Sequence, residues 1–154
     1  MKKRLFCGSL MVVAASILLA QGASAESKNV RVVTNIEPSY TVTIPSNVAV
    51  PFNQAKTDFG AITLTQAHLE YGKCVKVSLN SNKRLVNKAD ANKTIPYAIY
   101  KGKAGTSGEE FTQARYRTAG EKTDLNIGIT QDSWNKAFAG DYDDTVIFNI
   151  KYTR

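Results

Sequence analysis

Few residues of this 154-residue chain have the chemistry of a catalytic centre. His68 is the only histidine, so a site with several histidine ligands is excluded and any Ser-His-Asp triad would need this residue. Glu70 lies two residues away, but no nucleophile-elbow motif surrounds a serine. We therefore interpret His68 as a loop histidine beside a strand. We predict that the protein is not an enzyme.

Three aspartates, Asp141, Asp143 and Asp144, lie within four residues and offer oxygen atoms of the kind that calcium prefers. The EF-hand pattern is absent, because no glycine and no distal glutamate follow at the required spacing. A solvated turn with Asp144 at the entry of a strand is the favoured interpretation. Cation binding by the three aspartates stays open, and we predict no resident metal and no cofactor.

The segment Gly102–Gly108 is rich in glycine and contains a lysine, as phosphate-binding loops do. A P-loop needs four residues between its first glycine and a Gly-Lys-Ser/Thr run, and that order does not occur here. The composition is instead typical of a mobile hairpin loop.

Tyrosines interleaved with basic residues form the remaining candidate site. Aromatic rings and cations together bind glycans or anionic polymers by stacking and charge. The competing and favoured interpretation is that the tyrosines pack inward while the basic side chains extend at the rim. The candidate ligand-binding residues are Tyr97, Tyr100, Lys101, Lys103, Arg115, Tyr116 and Arg117.

The first 25 residues have the pattern of a cleaved signal peptide. A basic start is followed by the apolar run 5–20 and by Ala23-Ser24-Ala25, which has the small-x-small form that signal peptidase cleaves. Cleavage leaves residues 26–154 as one domain with 17 basic and 13 acidic residues, or +4. This modest charge and the export signal disfavour nucleic acid as a partner, and no membrane span remains after cleavage.

Short runs of alternating residues predict strands along the whole mature chain. The clearest is the closing run, where Val146, Phe148, Ile150 and Tyr152 share one face, which we predict to be buried. Ahead of it, Asp132 or Ser133 is predicted to cap a helical turn over 134–138 that Gly140 ends. The other predicted strands lie at 30–33, 40–44, 48–52, 59–65, 73–79, 95–99 and 123–130.

Cys74 is the only cysteine of the predicted mature chain, so an intramolecular disulfide is excluded. Val75, Val77 and Leu79 take the core face of its strand, so Cys74 is predicted on the opposite face as a free thiol.

The number and spacing of these runs predict an all-β fold. We expect a single antiparallel, two-sheet, immunoglobulin-like β-sandwich of seven to eight strands, with a closed barrel as the alternative.

Two stretches resemble bacterial secreted surface proteins, which include pilin-like and spore-coat-like immunoglobulin-type sandwiches. One is the run 40–45, and the other is the run W-x-x-A-x-A-G-x-Y-x-D-T-V-x-F-x-I over 134–150. The resemblance implies an extracellular or cell-surface location, with the periplasm as an alternative, and a structural or adhesive role. It implies other surface subunits or a glycan as partners, with self-association. A module that binds carbohydrate or cell-wall polymer is the alternative function.

We expect the exported protein to begin at Glu26, because signal peptidase should cleave after Ala25. N-terminal sequencing of the exported product tests this. An uncleaved, membrane-bound product would contradict it.

Overall fold

The computed structural model describes Lys28 and residues 30–154. The predicted signal peptide and Cys7 lie outside the described residues. The chain divides after Thr34, and the second unit, Asn35–Arg154, contains every strand and helix among the described residues. The strand predicted at 30–33 is wrong, because these residues form no strand and their valines are exposed. The 26–154 domain boundary stays a prediction.

The second unit has ten strands and one short helix within the described part of the chain. Their bounds are β1 Ser39–Thr43, β2 Lys56–His68, β3 Cys74–Asn80, β4 Arg84–Asn87, β5 Thr94–Pro96, β6 Ala98–Lys101, β7 Gln113–Tyr116, β8 Lys122–Gly128, α1 Gln131–Asn135, β9 Tyr142–Asp143 and β10 Ile147–Thr153.

The strands form three hydrogen-bonded sheets, in which all pairs are antiparallel. The four-stranded sheet has the order β1-β2-β8-β6, and the two three-stranded sheets have the orders β10-β3-β7 and β5-β4-β9. The prediction of an all-β antiparallel sandwich is therefore confirmed. The described residues contain more strands than expected, because the short strands β4, β7 and β9 carry no long alternating run.

The longest strand, β2, pairs with two neighbours in turn. Residues 56–63 pair with β8, and residues 63–68 pair with β1. The β2–β8 register shifts between Asp58 and Gly60, so β2 contains a bulge there, and Gly60 has a φ of 114° that favours glycine. Beyond the bulge, Ile62 and Leu64 point inward and are fully buried.

The core lies between the sheets and is almost entirely apolar. Its fully buried centre combines residues of β2, β3, β6 and β8 with Phe111, which comes from the loop before β7. The largest of these side chains are Phe111, Ile62, Leu64, Ile99, Leu125, Val75 and Val77. Burial of apolar side chains at about 1.5–3 kcal/mol each is the main stabilising contribution in such a domain.

The predicted strand 95–99 is two strands in different sheets. Ile95 lies in β5 and Ile99 in β6, so the chain crosses from one sheet to the other at Tyr97. The backbone N–H of Tyr97 donates to the carbonyl of Lys83 at 3.0 Å instead of joining either strand pair. Pro96 ends the first strand, because it has no N–H to donate.

The closing strand β10 is less buried than the sequence predicts. Phe148 and Tyr152 are half-buried and pack against the core, but Ile150 is 37% exposed. The reason is position: β10 is an edge strand that pairs only with β3, so no second strand covers its outer side. The alternation was interpreted correctly, but the core is centred on β2, β3 and β8.

The helical turn begins three residues earlier than predicted. Its N-cap is Thr130, whose Oγ1 accepts a hydrogen bond from the Ser133 N–H at 3.2 Å, so neither Asp132 nor Ser133 is the cap. Trp134 lies in this helix, is buried, and donates its indole N–H to the carbonyl of Gln54 at 3.0 Å. Phe52 packs edge-on against the indole with ring centroids 5.6 Å apart.

Cys74 is a free thiol, as predicted, but it is fully buried. Both faces of β3 are therefore covered at this point, where Val75 is also fully buried, and β3 is the central strand of its sheet.

We expect Trp134→Ala to lower the free energy of unfolding by about 3–5 kcal/mol, because it removes a large buried aromatic side chain. Urea denaturation measures the change. Phe52→Ala is the matched control, since Phe52 is 79% exposed and its loss should cost about 1 kcal/mol or less. Equal, small effects of the two substitutions would show that the indole does not stabilise the core.

Candidate functional site

Two adjoining clefts lie on either side of the segment 46–50, which belongs to the connection between β1 and β2. The larger has a volume of about 760 Å³, within the range of ligand-binding pockets, and the smaller about 480 Å³. We call the larger one the aromatic cleft, because Phe52, Trp134 and Phe138 line it. Val48, Val50 and Asp144 line both clefts, so this segment is the wall between them.

The wall segment alternates like a strand but has no strand partner. Val48 and Val50 are half-buried and pack against the core, whereas Ala49 is exposed. No backbone N–H or C=O of Ser46–Val50 bonds to another backbone group in the described part of the chain. The alternation predicted at 48–52 is therefore present, but these residues do not form the predicted strand. Its backbone donors and acceptors are free to bond to water or to a ligand.

Asp144 is a half-buried carboxylate that neutral donors hold in place. Its Oδ2 accepts hydrogen bonds from the Tyr97 hydroxyl at 2.6 Å and from the Ser81 hydroxyl at 3.3 Å. Its Oδ1 accepts from the Thr145 N–H at 2.8 Å. No lysine or arginine forms an ion pair with it among the described residues. The arrangement fixes a negative charge at the junction of the two clefts.

Burial raises the pKa of Tyr97 far above its ordinary value, and the hydrogen bond to Asp144 raises it further. Ionisation of this phenol would place two negative charges 2.6 Å apart in a partly desolvated site. Tyr97 therefore remains a hydrogen-bond donor to Asp144 over the whole neutral range of pH.

The opposite side of the aromatic cleft carries exposed rings. Phe138 is 59% exposed, and the ammonium of Lys93 lies 4.4 Å from the centroid of its ring. This distance is that of a cation–π contact, in which the negative face of the ring attracts a positive charge. An apolar floor, aromatic rings and an oriented carboxylate thus share one cleft.

The other two aspartates of the predicted turn also line the aromatic cleft. Asp143 is in β9 and pairs with the Lys88 ammonium at 3.4 Å, while the backbone carbonyl of Asp141 accepts a hydrogen bond from the Lys88 N–H. In the described residues, no group of three or more His, Cys, Asp or Glu side chains is arranged to hold a metal ion. Cation binding by the aspartates was left open in the sequence and stays so.

His68 is exposed at the last position of β2, where it pairs with Ser39. It is thus on a strand and not in a loop. No described residue donates to or accepts a hydrogen bond from its ring. The prediction that the protein is not an enzyme is neither supported nor opposed by this position.

The loop Gly102–Gly108 folds over the outer face of the four-stranded sheet. Asp58 accepts a hydrogen bond from the Ala104 N–H at 2.6 Å, and the ammonium of Lys56 donates to the Thr106 carbonyl at 2.6 Å. The buried Asn126 amide donates to the Gly102 carbonyl at 2.8 Å. These three side chains bond to the backbone of the loop at Gly102, Ala104 and Thr106, and the mobility of the loop stays a prediction. Lys56 and Asp58 lie on β2 and Asn126 lies on β8, and the alternating patterns of these strands did not predict contacts with the loop.

The candidate ligand-binding tyrosines do not share one surface. Tyr97 and Tyr116 are buried, and the Tyr116 hydroxyl bonds to Thr123 at 2.7 Å. Tyr100 is half-buried on β6, where its ring lies against Gly128 and 5.6 Å from the Lys56 ammonium. The two buried rings cannot stack on a glycan in this conformation.

The basic residues of the candidate site fall into two groups. Lys101 forms an ion pair with Glu109, which lowers the pKa of that carboxyl, and Lys103 is exposed in the loop. Arg115 and Arg117 lie on or next to β7, an edge strand of another sheet. Only Tyr100, Lys101 and Lys103 therefore form a continuous stretch of β6 and its loop, and binding by them stays a prediction.

Comparison with known proteins identifies no family for this chain. A scan against protein-family models and a search of curated proteins both gave no match. Among solved structures, the chain is similar to one chain of a chaperone–tip adhesin complex in CFA/I fimbriae biogenesis. The identity is 11%, the TM-score is 0.43, and the similarity covers 74% of this chain and 42% of that one, so it spans less than half of the fimbrial chain.

The part of the chain that the structure describes has no helix of the length and hydrophobicity that a membrane crossing requires.

The alkaline limit of stability should depend on the two buried tyrosines. Burial raises the pKa of Tyr97 and of Tyr116, whereas the unfolded chain loses the same protons near pH 10. Above about pH 10 the unfolded state therefore binds fewer protons than the folded state, so the free energy of unfolding falls as pH rises.

We expect Tyr97→Phe to make this alkaline decline shallower than in the wild type, because one of the two phenols is gone. Urea midpoints between about pH 8 and pH 11 measure the slope. Tyr71→Phe is the control, since Tyr71 is fully exposed in a turn and should leave the slope unchanged. An identical slope for Tyr97→Phe and the wild type would contradict the assignment.

Proposed function

We propose that this protein is exported and has a structural or adhesive role at the cell surface or outside the cell. It acts by non-covalent contact with other macromolecules and not by catalysis. The observation that carries the proposal is the segment 30–36, whose apolar side chains are exposed and which pairs with no strand among the described residues.

The exposure of this segment is unusual for a folded protein surface. Val30, Val32, Val33 and Ile36 are between 69% and 91% exposed. Contiguous exposed apolar side chains mark interaction sites, and β-branched residues favour the extended conformation that pairs with a strand edge. After the predicted cleavage behind Ala25, the segment would lie close to the new N-terminus and could reach a second molecule.

The edges of the sheets supply surfaces on which such a segment could pair. The strands β10 and β7 are the edges of one sheet, and β1 is an edge of another. The opposite edge of that second sheet, β6, is already covered, because its backbone bonds to Glu109 and Phe111. An edge strand presents unpaired backbone groups on its outer side, which favours association with another strand. These features support other subunits of the same kind as partners.

The polar groups near the clefts are consistent with binding rather than bond cleavage. Asp144 accepts hydrogen bonds from a phenol, a serine hydroxyl and a backbone N–H, which hold its carboxylate in one orientation, as a binding contact requires. His68, the only imidazole of the chain, lies at an exposed strand end and does not line either cleft.

We expect the mature protein, residues 26–154, to self-associate with rising concentration, and Val32→Ser combined with Val33→Ser to reduce this association strongly. Light scattering over a concentration series measures the mean mass. Tyr71→Ser is the matched control, because it removes an exposed aromatic residue in a turn far from the segment in sequence. A wild type that remains monomeric at all concentrations would contradict the assembling role.

An array of glycans and cell-wall polymers tests the carbohydrate-binding alternative with the same proteins. Binding that survives the double serine substitution but is lost in Tyr100→Ala would replace the assembling role with a polymer-binding one. Without such binding the alternative fails.

A further inference from the structure

We propose that the aromatic cleft binds a lysine or arginine side chain presented by an extended polypeptide segment of a partner. The cleft combines an apolar aromatic lining with two features defined within the described residues: a carboxylate without a cationic partner and a wall of unpaired backbone. Each of the three features selects one part of such a ligand. This site is separate from the segment 30–36 on which the proposed function rests.

The carboxylate selects the charge of the ligand. Asp144 lines the cleft, and its hydrogen bonds come from neutral donors only, so its charge is oriented but not neutralised by any described lysine or arginine. Asp141 adds a second acidic side chain to the lining, also without an ion pair among the described residues. On a mature chain with 17 basic and 13 acidic residues, these two carboxylates favour a cationic group locally.

The aromatic lining selects the apolar stem that carries the charge. Phe52 and Phe138 are exposed, and Trp134 lies edge-on to Phe52 at the base of the cleft. The stems of lysine and arginine are apolar and lie along such surfaces while their charged ends stay solvated or paired. The ammonium of Lys93 already lies 4.4 Å from the centroid of the Phe138 ring, so the chain itself occupies one face of this ring.

The unpaired wall favours a polypeptide over a small amine. The backbone of Ser46–Val50 has no backbone partner in the described chain, and Val48 and Val50 direct their side chains to the core beside the cleft. An extended segment that lies alongside would gain main-chain hydrogen bonds from this wall. A free amine would gain none of them.

Trp134 reports on occupancy of the cleft, because it is the only tryptophan of the chain. The probe is a blocked pentapeptide in which valine and arginine alternate, with matched peptides that carry glutamine or glutamate in place of arginine. We expect the arginine peptide to shift the emission of Trp134 and to bind at least about 10-fold more tightly than the glutamine peptide, since a charge-assisted hydrogen bond is lost. The glutamate peptide should not bind.

Asp144→Asn tests the carboxylate, and it should weaken binding of the arginine peptide about 10-fold while circular dichroism stays native. Asp124→Asn is the matched control, because Asp124 lies on β8, does not line the cleft and pairs with Lys122. If Asp144→Asn does not fold, Asp141→Asn and Phe138→Ala replace it, since both residues are exposed in the lining. These variants should also weaken binding.

Three results would overturn the proposal. The first is equal binding of the arginine and glutamine peptides, and the second is native affinity in a folded Asp144→Asn variant. The third is an equal Trp134 response to butylammonium chloride at the same concentration, which would remove the polypeptide from the assignment. Each measurement is repeated with the double variant Val32→Ser and Val33→Ser. A loss of self-association with peptide binding retained would then separate the two proposals.

Discussion

The pairing of β2 with β8, interrupted by the bulge at Gly60, is the constraint on which the rest of the domain depends. The bulge places two residues of β2, Phe59 and Gly60, opposite Leu125, and it changes which residues face inward. Before the bulge, Thr57 pairs with Ile127, and after it Ile62 pairs with Thr123. A regular strand would have turned either Phe59 or Ile62 and Leu64 away from the core, because side chains alternate with a period of two. A second register shift, against β1, leaves Thr65 without an opposite residue, and beyond it Ala67 packs against the core. Two irregular positions therefore let a thirteen-residue strand contribute to the core along its length.

The same glycine determines where the clefts lie. Pro45 follows β1 and packs over Gly60, where an added Cβ would lie 3.4 Å from the proline Cβ. Proline has no N–H, so β1 cannot extend its pairing with β2 past this point. The chain then leaves the sheet, and Ser46–Val50 continues with alternating side chains but without a strand partner. The two clefts lie on either side of this departing segment, so they follow from the backbone geometry at Gly60 and Pro45.

The sequence predicted the parts of the fold that depend on local alternation. The strands β2, β3, β8 and β10 lie where the pattern of apolar residues placed them. The sequence could not predict pairing, because alternation is the same for a paired strand such as β1 and for an unpaired one such as 48–52. It also missed that the run 95–99 changes sheets, for which Pro96 was the available signal, as Gly60 was for the bulge. The sequence could not predict the cleft for the same reason. Its lining comes from segments about 80 residues apart, and the sheet order brings them together.

Asp144 connects the stability of the domain to the chemistry of the cleft. A half-buried carboxylate loses hydration, and its three neutral donors recover only part of that loss because none of them carries a positive charge. A phenylalanine at position 97 would fill the same core space without a hydroxyl, yet it would leave Asp144 without its shortest hydrogen bond. The hydroxyl of Tyr97 therefore orients the carboxylate of Asp144, a role that is separate from the packing of its ring in the core. Since the charge lines both clefts, the packing of the sheet crossing at Tyr97 and the electrostatic potential of the clefts are set by the same contact.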